Sequence, residues 1–300
     1  MLPLMQSRFN NLTTRAAGWM AGWLTLMVVI AVAGREAASE LSVFQIMLLR
    51  STLGMLMLWP LVRAAGGLNA VRTEQLPQHA LRNAVHYAAQ YGWFVALTLI
   101  PLAQVVSIEF TMPIWSAALA VVFLGERMSV RKWLAVLLGL VGVAVIVRPG
   151  VGAMDSGQMI ALASAFGFAI SIVLVKSLTR TDTAVAISFW MLVVQSTIGL
   201  VPALIVWQWP SVQTWGWVVV VAFCGTYSHY CFARAMQLAD ATVVVPMDFL
   251  RVPLTALVGW LAYSERLDLF TLLGIGLILT GNVLNLARLA TDDERVQPKA

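Results

Sequence analysis

The stretch VVVPMDFLRVPLTALVGWLAY, Val243 to Tyr263, decides how the chain is read. It is long enough to cross a bilayer as one helix, which takes about 20 apolar residues. Yet Asp248 and Arg251 stand in its middle, flanked by Pro246 and Pro253. An ionisable side chain at the centre of a membrane helix costs about 2.5–3.5 kcal/mol on insertion scales, so it turns inward to a partner or a polar cavity. Three residues apart, Asp248 and Arg251 share one helix face. The stretch therefore reads as a membrane span with a polar inner side.

The rest of the chain supports that reading. Its 300 residues are 60% apolar and 11% charged, with a mean hydropathy of +0.84, whereas soluble domains carry charge on about a quarter of their residues. Ten apolar spans are expected, at 17–34, 43–65, 80–99, 102–124, 130–147, 156–178, 184–207, 212–237, 240–263 and 268–287. Too little chain is left over for a soluble domain. A transmembrane barrel would need shorter strands of alternating polarity, and these segments are uniformly apolar.

The net charge of +5 is a record of topology and calls for no nucleic-acid partner. With a cytoplasmic N-terminus, fourteen Lys and Arg in the tails, loops and helix ends fall on the cytoplasmic side, Arg82 among them at the start of the third span. Only Arg35, Arg148 and Arg266 fall on the other. This positive-inside bias places both termini in the cytoplasm of a bacterial-type inner membrane. The run ending Ala31-Val32-Ala33 has the look of a signal-peptide cleavage site, but the repeat described next needs this first helix. Cys224 and Cys231 lie seven residues apart on one expected helix, about 10 Å along its axis, too far for an unstrained disulfide.

The chain repeats itself. A shift of 139 residues lays Glu109 on Asp248, Phe110 on Phe249, Ala96 on Ala235 and Glu126-Arg127 on Glu265-Arg266. The second span matches at a shift of 145, Arg50-Ser51-Thr52-Leu53-Gly54 against Gln195-Ser196-Thr197-Ile198-Gly199. Residues 1–150 and 151–300 are thus expected to form two five-helix repeats in one integral membrane domain. An odd number of spans inverts the second copy, relating the halves by a pseudo-twofold axis in the membrane plane. The fold class is an all-α membrane protein of ten transmembrane helices in two inverted five-helix repeats.

The segments LGERMSVRKWLAVLLGLVGVAVIV, Leu124 to Val147, and SERLDLFTLLGIGLILTGNV, Ser264 to Val283, resemble the EamA-like carriers of the drug/metabolite transporter superfamily, and within it the YddG-type amino-acid exporters. The resemblance spans nearly the whole chain. It implies a five-plus-five inverted fold, a central cavity lined by both halves, and export of aromatic amino acids or similar metabolites.

Four ionisable residues lie well inside expected spans: Arg50, Glu109, Asp248 and Arg251, whose charges sum to zero. Either they neutralise one another as a structural cluster, or the acids face a cavity and bind an amine or a coupling proton while an arginine receives a carboxylate. Pro113, Pro246 and Pro253 are candidate gating hinges, since proline removes a helical hydrogen bond; ordinary curvature is the alternative. The third span pairs His86 with Gln90 and Tyr87 with Tyr91, four apart. Gln90 and Tyr91 map onto His229 and Tyr230, so the eighth span, with Tyr227, presents a related surface. Such faces suit an aromatic substrate or serve as packing between helices. Of the twelve tryptophans, several sit at span ends where an aromatic belt is expected, while Trp115 and Trp190 are candidates for a cavity wall.

Nucleotide-loop and zinc-helix motifs are absent from the sequence, and the reading calls for no cofactor and no metal. The expected partners are the lipid bilayer and a small-molecule substrate, an amino acid or amphipathic metabolite, with a coupling proton as a further candidate. The expected function is secondary transport by alternating access, outward for an aromatic amino acid. A broader multidrug or cation exporter is the alternative. An intramembrane enzyme or a scaffold has no need of two inverted copies around one centre.

Overall fold

The computed structural model describes residues 2–124, 130–147, 155–239, 244, 247–263 and 268–286. The principal helices, in chain order, are α1 (Leu2–Ala37), α2 (Val43–Ala64), α3 (Leu76–Leu99), α4 (Leu102–Glu109), α5 (Met112–Leu124), α6 (Val130–Val147), α7 (Ser156–Leu178), α8 (Ala184–Ile205), α9 (Val212–Leu238), α10 (Arg251–Tyr263) and α11 (Leu269–Leu286). Short 3-10 turns occupy Gly67–Val71 and Asp248–Leu250, and no strand occurs among the described residues. Residues Arg15–Ala37 of α1, together with α2, α7, α8 and α9, are each long and apolar enough to cross a membrane. The chain is an all-α, multi-pass membrane protein.

Helix limits follow local chemistry. Side-chain caps open four helices: Ser42, Asp155, Thr183 and Ser211 each accept the backbone N–H three residues on, the usual means of satisfying a free helix N-terminus. Asp155 and Gln158 complete a reciprocal capping box. The expected spans 130–147 and 156–178 coincide with α6 and α7.

The expected single span 102–124 is instead two helices. α4 stops at Glu109 and α5 starts at Met112, with Thr111 N donating to Ile108 O at 3.0 Å. In an unbroken helix the bond to the Glu109 carbonyl would come from the backbone N of residue 113. That residue is proline, which has no N–H to give and sits comfortably in a first helical turn. The second half does the same one repeat later. Pro253 lies in the first turn of α10, directly after the 3-10 turn at Asp248–Leu250. The two breaks fall at Glu109 and Asp248, so the ionisable residues stand at interrupted helices, where membrane carriers place polar sites. Pro246, Glu126-Arg127 and Glu265-Arg266 lie outside the described residues.

Packing obeys an exchange of halves. α1 packs on α9, and their repeat mates α7 and α3 pack on each other; α2 on α8 and α6 on α11 are each mated with themselves, and α4 packs on α10, the repeat mate of α5. Side chains repeat the pattern. A Cβ on Gly54 of α2 would lie 2.2 Å from Thr226 Oγ1, and one on Gly199 of α8 would lie 2.9 Å from Tyr87 Oη. Gly54 and Gly199 are mates at the 145 shift, Tyr87 and Thr226 at the 139 shift. Bare glycines let the helix backbones approach, the means by which membrane helices gain packing without a hydrophobic driving force between them.

Each end of the bundle carries a polar tie between halves. At one, Asp182, after α7, meets Thr73 Oγ1 and His79 Nε2, both at 2.6 Å. At the other, Glu40, after α1, accepts from Ser211 N at 2.6 Å, Ser211 Oγ at 2.7 Å and the Thr214 hydroxyl, so a carboxylate meets the positive N-terminal end of α9. These hydroxyl and amide donors hold the Glu40 carboxyl below its ordinary pKa. Cys224 and Cys231 are both free and buried.

Candidate functional site

The breaks after Glu109 and at Asp248 bring the two acids to a single guanidinium. Arg251 Nη2 donates to Glu109 Oε1 at 2.7 Å and to Asp248 Oδ2 at 2.9 Å, and Nη1 reaches Glu109 Oε2 at 3.3 Å. Its guanidinium carbon lies 5.2 Å from the Phe110 ring centroid. Two indoles complete the shell: Trp23 Nε1 donates to Asp248 Oδ1 at 2.7 Å and Trp93 Nε1 to Glu109 Oε2 at 2.8 Å. Asp248 and Arg251 are 1% exposed and Glu109 4%. Every contact to Glu109 from Arg251 crosses from one repeat to the other, so the triad ties the halves at mid-span.

A second polar group lies on the α2–α8 contact. Arg50 Nη1 donates to Gln90 Oε1 at 2.8 Å and to Gln195 Oε1 at 3.3 Å. Gln195 is Arg50's own repeat mate, so this bond joins equivalent positions, as only residues beside a twofold axis can. Nearby, Arg82 Nη1 donates to Asn83 Oδ1 at 2.6 Å, and Asn83 Nδ2 donates to His79 O at 2.8 Å. Neither Arg50 nor Arg82 has a carboxylate partner among the described residues.

Between these groups lies a cavity enclosing about 730 Å³ of atom-free space, its mouth included. Trp23, Trp93, Phe168 and Phe232 supply aromatic walls, and Arg82, His86, Gln90, His229, Glu109 and Asp248 supply polar ones. The walls come from both repeats: α1, α3 and α4 from the first, α7, α9 and Asp248 from the second. The rings of His86 and His229 meet edge to face at 4.9 Å, and His86 Nδ1 lies 3.2 Å from Ser171 Oγ. Along α3, Arg82 and Trp93 are eleven residues apart, about 16 Å of helix, which sets the distance between the cavity's basic and acidic ends.

Of the residues singled out in the sequence, His86, Gln90, Glu109, Asp248 and His229 line this cavity, with Arg50 and Arg251 bonded to lining residues. The others lie elsewhere. Tyr87 packs on Gly199; Tyr91 stacks on Phe44 at 4.4 Å; Tyr227 Oη donates to Met57 O at 2.8 Å. Trp190 Nε1 caps Val71 O at 2.8 Å, and Trp115 is 39% exposed, edge-on to Phe166. Pro113 and Pro253 stand in the first turns of α5 and α10.

Arg82 corrects the sequence reading in two ways. It was counted with the cytoplasmic charges at the start of the third span, but α3 starts at Leu76, more than a turn earlier, and Arg82 is buried to 4% exposure. Among the described residues the buried carboxylates and guanidiniums therefore do not sum to zero; three arginines face two acids. Trp23 and Trp93 were also missed. The signal existed: Arg82, His86, Gln90 and Trp93 follow at intervals of four, four and three, a single helical stripe.

An inverted two-repeat bundle with a polar cavity between its halves defines the class, a membrane transporter of small solutes. The chain belongs to the EamA-like transporter family, whose model matches residues 14–148 and 155–287. It is 26% identical over 219 residues to a riboflavin transporter of Vibrio cholerae, covering 72% of this chain and 74% of that one. An S-adenosylmethionine uptake transporter of Rickettsia bellii is 22% identical over 262 residues, 86% of this chain and 90% of that one. A pseudopaline exporter of Pseudomonas aeruginosa is 25% identical over 254 residues, 82% and 86% of the two chains. A solved structure, titled only as the crystal structure of a protein, superposes with a TM-score of 0.73 at 19% identity, covering 96% of this chain and 99% of that one; this likeness is one of fold.

Proposed function

We propose that the chain is a secondary carrier that moves a small ring-bearing metabolite, aromatic amino acids first among them, outward across a bacterial-type inner membrane by alternating access. The cavity supports this reading: four aromatic rings and a row of polar side chains, contributed by both repeats, surround one space between them. Aromatic walls take a planar ring by stacking and edge contacts. Riboflavin and S-adenosylmethionine, the cargoes named for two relatives, each present a planar ring. Relatives are named for both uptake and export, so outward direction rests on the resemblance to amino-acid exporters and on no relative's name.

The Glu109–Arg251–Asp248 triad is the element that alternates in this scheme. It joins the halves where α4 and α10 are interrupted, and we place the hinges at these breaks, with Pro113 and Pro253 fixing where helix resumes. Because Arg251 already engages both acids, the acidic end attracts a cation poorly. A proton is the coupling ion that fits carboxylates which must part from Arg251 for the halves to move.

Flux of labelled tryptophan, phenylalanine, riboflavin and a quaternary ammonium dye through proteoliposomes, with and without a pH gradient, tests the reading. Flux of one or more ring-bearing metabolites is the expected outcome. Flux of the quaternary cation alone would replace it with cation export.

A further inference from the structure

The charges at the acidic end of the cavity are compensated, with Arg251 between two carboxylates although its Nε too has no partner; those at the basic end are not. Arg82 is 4% exposed and lines the cavity. Its Nε has no hydrogen-bond partner, and its one bonded acceptor is the neutral Asn83 amide. Arg50, fully buried, leaves Nε and Nη2 unpartnered and likewise bonds only neutral amides. His86 Nε2, on the same stripe of α3, is also buried without a partner.

A buried cation is normally retained only beside a compensating anion. Arg251 shows what compensation looks like in this chain, with two carboxylates on one guanidinium. Arg82 and Arg50 are close enough to repel each other, and both act on the two histidines, so the surplus charge is concentrated at one end. The described partners do not cancel it. The cavity, which Arg82 lines, gives an anion a way to it.

We propose that the Arg82 end of the cavity, with His86 beside it and Arg50 behind Gln90, is an oxyanion subsite that receives a carboxylate or phosphate of the transported solute while the aromatic walls hold its ring. A guanidinium presents its N–H groups in a planar fork matched to either oxyanion. The inference rests on the carrier reading and narrows it to anionic or zwitterionic cargo. The cation named as an alternative cargo would meet a repulsive end.

The test uses the full chain in lipid nanodiscs, with binding read from the ligand-induced rise in melting midpoint. Probes come in pairs sharing a ring: indole-3-acetate with tryptamine, and flavin mononucleotide with riboflavin. Acetate and inorganic phosphate serve as ringless anions. The anionic member of a pair is expected to bind at least tenfold more tightly than its partner, and Arg82→Gln to remove that preference by bringing the anionic member down to the affinity of its partner. Preference in the indole pair alone assigns a carboxylate, and in the flavin pair alone a phosphate. Arg82→Lys is expected to keep part of the preference. Without ligand, Arg82→Gln is expected to melt at or above the parent, because it removes an uncompensated charge.

Equal binding within both pairs overturns the subsite and leaves the ring-metabolite reading standing. Binding of acetate or phosphate that depends on Arg82, with no ring compound recognised, keeps the subsite and removes that reading. A large fall in the melting midpoint of ligand-free Arg82→Gln assigns Arg82 a structural role and overturns the proposal.

Discussion

Arg251→Met puts the central triad to a quantitative test. The substitution deletes three hydrogen bonds, at 2.7, 2.9 and 3.3 Å, from a guanidinium 1% exposed. It leaves Glu109 and Asp248 buried with one indole donor each. Breaking a buried ion pair from one side costs about 3–5 kcal/mol, whereas replacing all its members by apolar or neutral isosteres is often close to neutral. At roughly 2–4 °C per kcal/mol, Arg251→Met is expected to lower the melting midpoint of the detergent-solubilised protein on the order of 10 °C. The triple variant Arg251→Met/Glu109→Gln/Asp248→Asn is expected to recover most of that loss, since each remaining amide can still accept from its indole. The assay is a fluorescence-detected size-exclusion melt of the parent, Arg251→Met and the triple variant. If the triple variant melts no higher than Arg251→Met, or Arg251→Met melts with the parent, the triad is not an ion cluster and the reasoning fails.

Gly54→Ala is expected to destabilise by about 1–3 kcal/mol, as overpacking does, because its Cβ would stand 2.2 Å from Thr226 Oγ1; adding Thr226→Ala in the same melt should return part of the loss. Glu40→Gln is expected to lower the melting midpoint at pH 7. Because native Glu40 titrates below its ordinary value, its contribution is full above the unfolded pKa near 4.3 and is lost as pH falls through the lowered one. The gap between parent and variant should therefore close in acid, and a gap that widens there would contradict the Ser211–Thr214 tie. Asp182→Ala strips the partner from Thr73 and His79 at once and is expected to cost about 1–3 kcal/mol, read as faster proteolysis of the Gly67–Val71 loop.

Much of the fold was legible in the chain. Span limits such as 130–147 and 156–178 are set by apolar runs ending at caps and charges, which are local. The register between halves was legible as well, because the copies keep Ser51-Thr52 and Gly54 as Ser196-Thr197 and Gly199, and mates meet across the axis: Arg50 bonds Gln195, and Gly54–Thr226 mirrors Gly199–Tyr87. The break after Glu109 was signalled by Pro113 but missed, since proline is also common inside membrane helices as a mere bend. Five candidate aromatic residues lie away from the cavity because depth along a helix says nothing about its rotation.

The sequence by itself determined an all-α membrane chain of two similar halves, the shifts that relate them, and four of the ions buried between them. Only the tertiary structure decided which charges pair. Arg251 reaches Glu109 across 142 residues, a partnership set by how α4 and α10 face each other. It also showed that Arg82, counted with the cytoplasmic charges at the edge of a span, lies on the stripe of α3 that is turned inward to the cavity. Pairing depends on helix rotation and on distant neighbours, and both are fixed only once the halves are packed.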